Sequence, residues 1–191
     1  MIEQNNLTPS AETEVSKLKE ARRSIETIYY FHGYNGYLTN DKREVLQQFG
    51  KVIAPTFNYS SANTLSQIID SFKEVDLQSA IFMGSSYGGY IINVLNEQFD
   101  IPGLLFNPAL PYRILLEPGR EQFFTTELKS LSHFVLGKKD KLVRYQDNLD
   151  YISKYIKGPK EVILDENLGH SIPVKSFEMY VSGFLEKVQK T

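Results

Sequence analysis

The sequence predicts a three-layer α/β/α sandwich with a mostly parallel sheet, and three observations carry that expectation. Short continuous apolar runs of three or four residues recur along the chain, as in strands buried on both faces. Segments with apolar residues at helical spacing separate them, and parallel strands need such crossovers. With 191 residues, 41% apolar and 13% aromatic, the chain can bury one sizeable core.

The elements follow in order. Thr8-Pro9 opens a first helix, with Thr8 as cap, Pro9 in the first turn, and Glu12 and Glu14 near the positive end of the dipole. Its narrow apolar face is Val15, Leu18 and Ala21. Residues 1–24 are thus read as a polar leader and helix, and residues 25–191 as a single domain. Ile28-Tyr29-Tyr30-Phe31 reads as a central strand ending at His32-Gly33, and Tyr34-Asn35-Gly36-Tyr37 supplies turn residues. Asp41 to Phe49 returns at helical spacing to a short strand, Val52-Ile53-Ala54, stopped by Pro55. Leu65, Ile68, Ile69 and Phe72 mark a helix before the strand Ala80-Ile81-Phe82-Met83. A helix from about Gly88 to Gln98, the run Leu104-Leu105-Phe106, and an irregular Pro-rich segment from Asn107 to about Ser130 follow. Strand Phe134-Val135-Leu136, helix 145–156, strand Val162-Ile163-Leu164 and a last amphipathic helix carrying Val174, Phe177, Val181 and Leu185 complete the pattern.

Composition narrows the function classes. The 21 basic and 23 acidic residues nearly balance, so nothing points to nucleic acid or an anionic membrane surface. No cysteine is present, which excludes disulfides, thiolate metal sites and a cysteine nucleophile and is compatible with a reducing compartment. The first residues have neither a basic start nor an apolar core, and no apolar run approaches the ~18 residues needed to cross a bilayer. A cytoplasmic, unexported protein is the expectation.

The pentapeptide Gly84-Ser85-Ser86-Tyr87-Gly88 carries chemistry. In Gly-x-Ser-x-Gly the serine sits on a sharp strand-to-helix turn, where residues two before and two after it come too close for a Cβ. Gly84 and Gly88 fill those places, between an apolar strand and a helix starting with small residues. A tight turn or a phosphate cradle would also use glycines, but neither Gly-x-Gly-x-x-Gly nor Gly-x-x-x-x-Gly-Lys-Ser/Thr occurs. Ser86, flanked symmetrically by the glycines, takes the role of nucleophile ahead of Ser85.

A serine hydroxyl needs a base, and the base needs a carboxylate to fix its tautomer, in the chain order Ser, acid, His. Of three histidines, His170 alone falls in a loop between the last strand and last helix. Asp140 follows strand Phe134 to Leu136 across the turn Gly137-Lys138-Lys139 and is the first choice for the acid. Asp147 is next, whereas Asp165 and Glu166 read more simply as solvated charges. Two backbone N–H groups should meet the oxyanion: Tyr87, directly after the nucleophile, and Tyr34, after the first central strand. His32 then serves the geometry of that loop. These features place the chain in a compact α/β-hydrolase fold with a minimal cap.

The sequence resembles the small α/β-hydrolases grouped around the bacterial esterase YqiA. The resemblance runs from about Ile28 to the C-terminus. It rests on Tyr30-Phe31-His32-Gly33-Tyr34-Asn35, Met83-Gly84-Ser85-Ser86-Tyr87-Gly88-Gly89-Tyr90, Phe106-Asn107-Pro108-Ala109, Gly137-Lys138-Lys139-Asp140 and Gly169-His170. It implies hydrolysis of a carboxylic ester or thioester with Ser86, Asp140 and His170 as the triad, and neither metal nor organic cofactor. The leader is extra, and the segment after Asn107-Pro108 is shorter than in those relatives.

Only 107–130 is available as a cap, so an acyl site would draw on Leu110, Tyr112, Ile114, Phe123 and Phe124 with Tyr34, Tyr37 and Tyr87, although several fit a core equally well. Arg113 and Arg120 read as solvated loop residues. The expected partner is a small-molecule acyl ester or thioester. Peptide or carbon–carbon bond cleavage by the same triad, and a non-catalytic binding protein on this scaffold, are the rival readings.

Overall fold

The computed structural model describes residues 24–59, 61, 63–113 and 126–190. The Thr8-Pro9 helix, Ile114, Arg120, Phe123 and Phe124 lie outside the described residues. Within them the order is β1 (Thr27–Phe31), α1 (Asn40–Gln47), β2 (Lys51–Ile53), α2 (Thr64–Phe72), β3 (Ala80–Ser85), α3 (Tyr87–Gln98) and β4 (Gly103–Phe106). A 3-10 turn at Leu110–Tyr112 precedes β5 (Thr126–Glu127), β6 (Ser132–Gly137), α4 (Tyr145–Tyr155), β7 (Ile156–Lys157), β8 (Lys160–Asp165) and α5 (Val174–Val188).

Six strands form one sheet in the order β2-β1-β3-β4-β6-β8, and every pairing in it is parallel. The apolar runs alternate between its faces because successive side chains on a strand point opposite ways. Phe31, Phe82, Leu105, Phe134 and Leu136 pack with α2, α3 and α4 on one face. Ile28, Ile81, Met83, Leu104 and Phe106 pack with α1 and α5 on the other. The three layers expected from the sequence are therefore present. Strands β4 and β6 are buried throughout and β3 all but its last residue, β1 alternates between buried and half-buried before its buried end, and the edge strands β2 and β8 are half-buried or exposed.

A second, two-stranded sheet pairs β5 with β7, again parallel. The sequence reading held no such element, since two-residue strands have no periodicity to detect. Among the described residues, no helix is long and apolar enough to cross a membrane.

The strand order reverses between β1 and β3: the chain first moves from β1 to β2, then returns to β3 on β1's other side. Such a switch point opens a crevice at the carboxyl ends of the strands, where open α/β sheets place their ligands. The loop after β1 and the turn after β3 flank that crevice.

Candidate active site

Ser86 occupies the junction of β3 and α3 with φ 54° and ψ −119°, a region that costs a non-glycine residue energy. Its N–H donates to Phe106 O at 2.9 Å, tying the turn to the end of β4. The flanking glycines are required more by β1 than by each other. A Cβ on Gly88 would lie 2.1 Å from Phe31 O and 2.7 Å from His32 O. One on Gly84 would meet Phe31 O at 2.5 Å, and the Gly88 carbonyl carbon only at 3.1 Å. The turn is wedged against the carboxyl end of β1, and only glycine lets it fit. Ser85, the neighbouring hydroxyl, is a hydrogen-bond partner of the Tyr30 phenol at 3.3 Å.

The loop after β1 comes up to Ser86: a Cβ on Gly33 would sit 3.3 Å from Ser86 Cβ and 3.8 Å from its Oγ. His32 fixes this loop. Phe57 N–H donates to His32 Nε2 at 3.2 Å, so the ring proton is on Nδ1, which donates to Gly33 O at 2.7 Å. Gly36 N–H donates to the same carbonyl at 2.9 Å. With Gly33 O pinned twice, the plane of the Gly33–Tyr34 peptide is fixed, and the Tyr34 N–H is held pointing the other way. The loop-geometry role expected for His32 thus has a physical form. The Tyr34 and Tyr87 rings meet edge to face with centroids 6.4 Å apart.

Across the sheet, Asp140 and His170 touch. His170 Nδ1–H donates to Asp140 Oδ2 at 2.7 Å, and the carboxylate is wholly shielded from solvent. Its other oxygen accepts from Leu142 N–H at 2.8 Å and Val143 N–H at 2.9 Å, so both oxygens are occupied. Asp147 lies elsewhere, chelated by the Arg144 guanidinium through bonds of 2.9 and 2.8 Å. Ser86 and His170 line one cleft of about 490 Å³ without a hydrogen bond between them among the described residues. Contacts of this kind often close only around a substrate.

Two residues hold the His170 loop in ways the sequence did not disclose. Asn107, at φ 41°, donates from Nδ2 to Gly169 O at 2.8 Å and accepts Gly137 N–H on Oδ1 at 2.7 Å. It therefore staples the turn before Asp140 to the loop bearing His170. The family-like Asn107-Pro108 pair was the one sequence signal available for it. Asp165, expected to be a solvated charge, instead organises that loop: Oδ1 accepts Asn167 N–H at 2.8 Å and Leu168 N–H at 3.2 Å, and Oδ2 accepts the Tyr180 hydroxyl at 2.8 Å. Burial pushes its carboxyl up, but these bonds outweigh it and hold Asp165 below the usual range. Tyr180 moves the opposite way, to about 12, through burial and the adjacent carboxylate.

Of the residues expected near the acyl site, Tyr34, Tyr37, Tyr87 and Tyr112 line the cleft, whereas Leu110 is fully buried in the core. Arg113 departs from its solvated reading. It is buried, with Nη1 donating to the Tyr151 hydroxyl at 3.0 Å, beside a separate cavity between α3 and α4. His133 is likewise buried, on β6, 3.1 Å from Glu161 and remote from the cleft.

A buried parallel sheet, a switch-point crevice and a strained serine at a strand-to-helix turn define the α/β-hydrolase fold. Solved structures agree. Alpha/beta hydrolase domain-containing protein 10 from mouse superposes with a TM-score of 0.68 at 13% identity, over 85% of this chain and 90% of that one. Est1E from Butyrivibrio proteoclasticus gives 0.66 at 13%, over 87% and 89%. Esterase 2 of Thermogutta terrifontis, phosphorylated by paraoxon, gives 0.64 at 14%, over 89% and 85%. No curated protein matches the sequence. The chain belongs to the family described as Uncharacterised protein family (UPF0227), whose model matches residues 27–172.

Proposed function

We propose that this chain is a serine hydrolase that cleaves a carboxylic ester or thioester through an acyl-enzyme. The observation that carries this is the shielded Asp140–His170 hydrogen bond in the cleft that also exposes Ser86. Asp140 holds the proton of His170 on Nδ1, which leaves Nε2 as a lone pair for the serine hydroxyl.

In the proposed reaction Ser86 Oγ attacks the carbonyl carbon while His170 Nε2 takes its proton. Negative charge gathers on the carbonyl oxygen, where the N–H groups of Tyr34 and Tyr87 stabilise it at the positive end of α3. The tetrahedral species collapses, and the imidazolium gives its proton to the departing alcohol or thiol. Water then attacks the acyl-Ser86 carbonyl with His170 again as base, releasing the acid and restoring the hydroxyl. The Thermogutta esterase, which has the same fold, was captured phosphorylated by paraoxon.

A fluorophosphonate probe tests the reading. Mass spectrometry should find the label on the peptide containing Ser86, with none in Ser86→Ala, and aryl acetates or acyl thioesters should turn over. Labelling of another residue would overturn the assignment. Turnover of peptides or diketones in place of esters would reassign the reaction.

A further inference from the structure

The cleft holds one lysine among its described residues, which acyl transfer does not use. Lys42, on α1, lines it together with Ser86 and His170. Among the described residues that line this cleft none is Asp or Glu, so Lys42 brings a charge with no opposite sign in the lining. Its ammonium lies 5.5 Å from the centroid of the Phe177 ring. Elsewhere, Lys73, Lys138 and Lys187 each sit within ion-pair distance of a carboxylate, and Lys42 forms no such pair among the described residues. Its neighbour Asp41 makes no ion pair with it and accepts instead from the Thr39 hydroxyl and from the Lys42 backbone N–H.

A lysine in this setting has lost part of its hydration and forms no ion pair among the described residues. Burial accordingly depresses its pKa, with the Asp41 charge partly opposing the shift. An anion entering the cleft would restore what burial removed, whereas a neutral ligand would add to the loss. The ring of Phe177 steers the ammonium without neutralising it.

We propose that the substrate carries an anionic group, a carboxylate or phosphate, which Lys42 binds while its ester bond lies against Ser86. This rests on the acyl-transfer reading and narrows it to charged esters or thioesters. A compact ammonium accepts either anion, so the group is placed on the acyl chain or on the leaving alcohol by experiment.

The test compares three matched aryl esters: a neutral butyrate, the mono-ester of glutaric acid, and a butyrate of a phosphorylated phenol. At least one charged ester should exceed the neutral one by about 10- to 100-fold in kcat/KM, the range of one charge-assisted contact. Lys42→Met should collapse that ratio towards one, Lys42→Arg should keep most of it, and Lys42→Glu should reverse it. Equal turnover of all three esters, or an undiminished ratio in Lys42→Met, would overturn the proposal. Calorimetric titration with glutarate and with inorganic phosphate reads the same contact without turnover. At least one should bind the wild type and lose affinity in Lys42→Met. Anions that bind both proteins equally, or neither, sink the role of Lys42. A Ser86 inert to fluorophosphonate sinks only the acyl-transfer reading.

Discussion

Replacing Asp140 by asparagine separates tautomer control from mere packing. The Asp140 carboxylate accepts three hydrogen bonds, two on Oδ1 from the Leu142 and Val143 N–H groups and one on Oδ2 from His170 Nδ1. The two backbone donors need an oxygen, so the asparagine carbonyl takes the Oδ1 place and its NH₂ faces the imidazole. His170 must then offer a lone pair at Nδ1 and carry its proton on Nε2, towards the cleft. A donor stands where the proposed mechanism needs a base. The serine-protease precedent for this change is a loss of about 10⁴ in rate, or about 5.4 kcal/mol of transition-state stabilisation. Stability should change little, because shape and two of three bonds survive. Asp140→Ala, by contrast, leaves two buried N–H groups unpaired at about 1–3 kcal/mol each. Stopped-flow acylation by 4-nitrophenyl acetate, with urea unfolding as control, gives both readings. A stable Asp140→Asn protein that acylates within tenfold of wild type would refute the tautomer argument.

Two further substitutions test the glycines with opposite expected signs. Gly88→Ala should destabilise by about 1–3 kcal/mol or more, because its Cβ meets two backbone carbonyl oxygens that cannot rotate away. Gly183→Ala, inside α5 with nothing within 4 Å of the new methyl, should stabilise by about 0.8 kcal/mol through helix propensity. Urea midpoints moving the same way in both variants would count against the geometry. The Asp165 site predicts a pH dependence. Its folded pKa lies below the unfolded value, so its contribution is full at neutral pH and fades as pH falls through that lowered pKa, below about 4. The melting temperature of wild type minus that of Asp165→Asn should be largest near neutrality and shrink in acid; a constant gap would contradict it.

The sheet was legible because its inner strands are buried on both faces, which leaves uninterrupted apolar runs such as Ala80 to Met83. The tight turn at Ser86 was legible because sterics against β1 force glycine at fixed offsets, and the pairing of Asp140 with His170 because the chain order of this fold limits the candidates. Asn107 and Asp165 were hidden for another reason. Their partners are 62 residues away for the Asn107–Gly169 bond, and for Asp165 partly in the next helix, so no local pattern records them. Arg113 misled because a polar residue in a Pro-rich segment is ordinarily solvated, whereas here Tyr151 folds over it. Lys42 occupies an ordinary exposed position of a helix by sequence, and only the sheet topology turns it towards the cleft.

The end of β4 gives the molecule a fixed datum. Phe106 O receives the N–H of Ser86, and the next residue, Asn107, receives Gly137 N–H and reaches Gly169. Two adjacent residues thus gauge the spacing between a serine on one side of the sheet and an imidazole on the other. Pro108 and the 3-10 turn at Leu110–Tyr112 follow only after them. Because both anchors sit at the end of β4, the spacing between Ser86 and His170 is set within the sheet and not by the chain that follows.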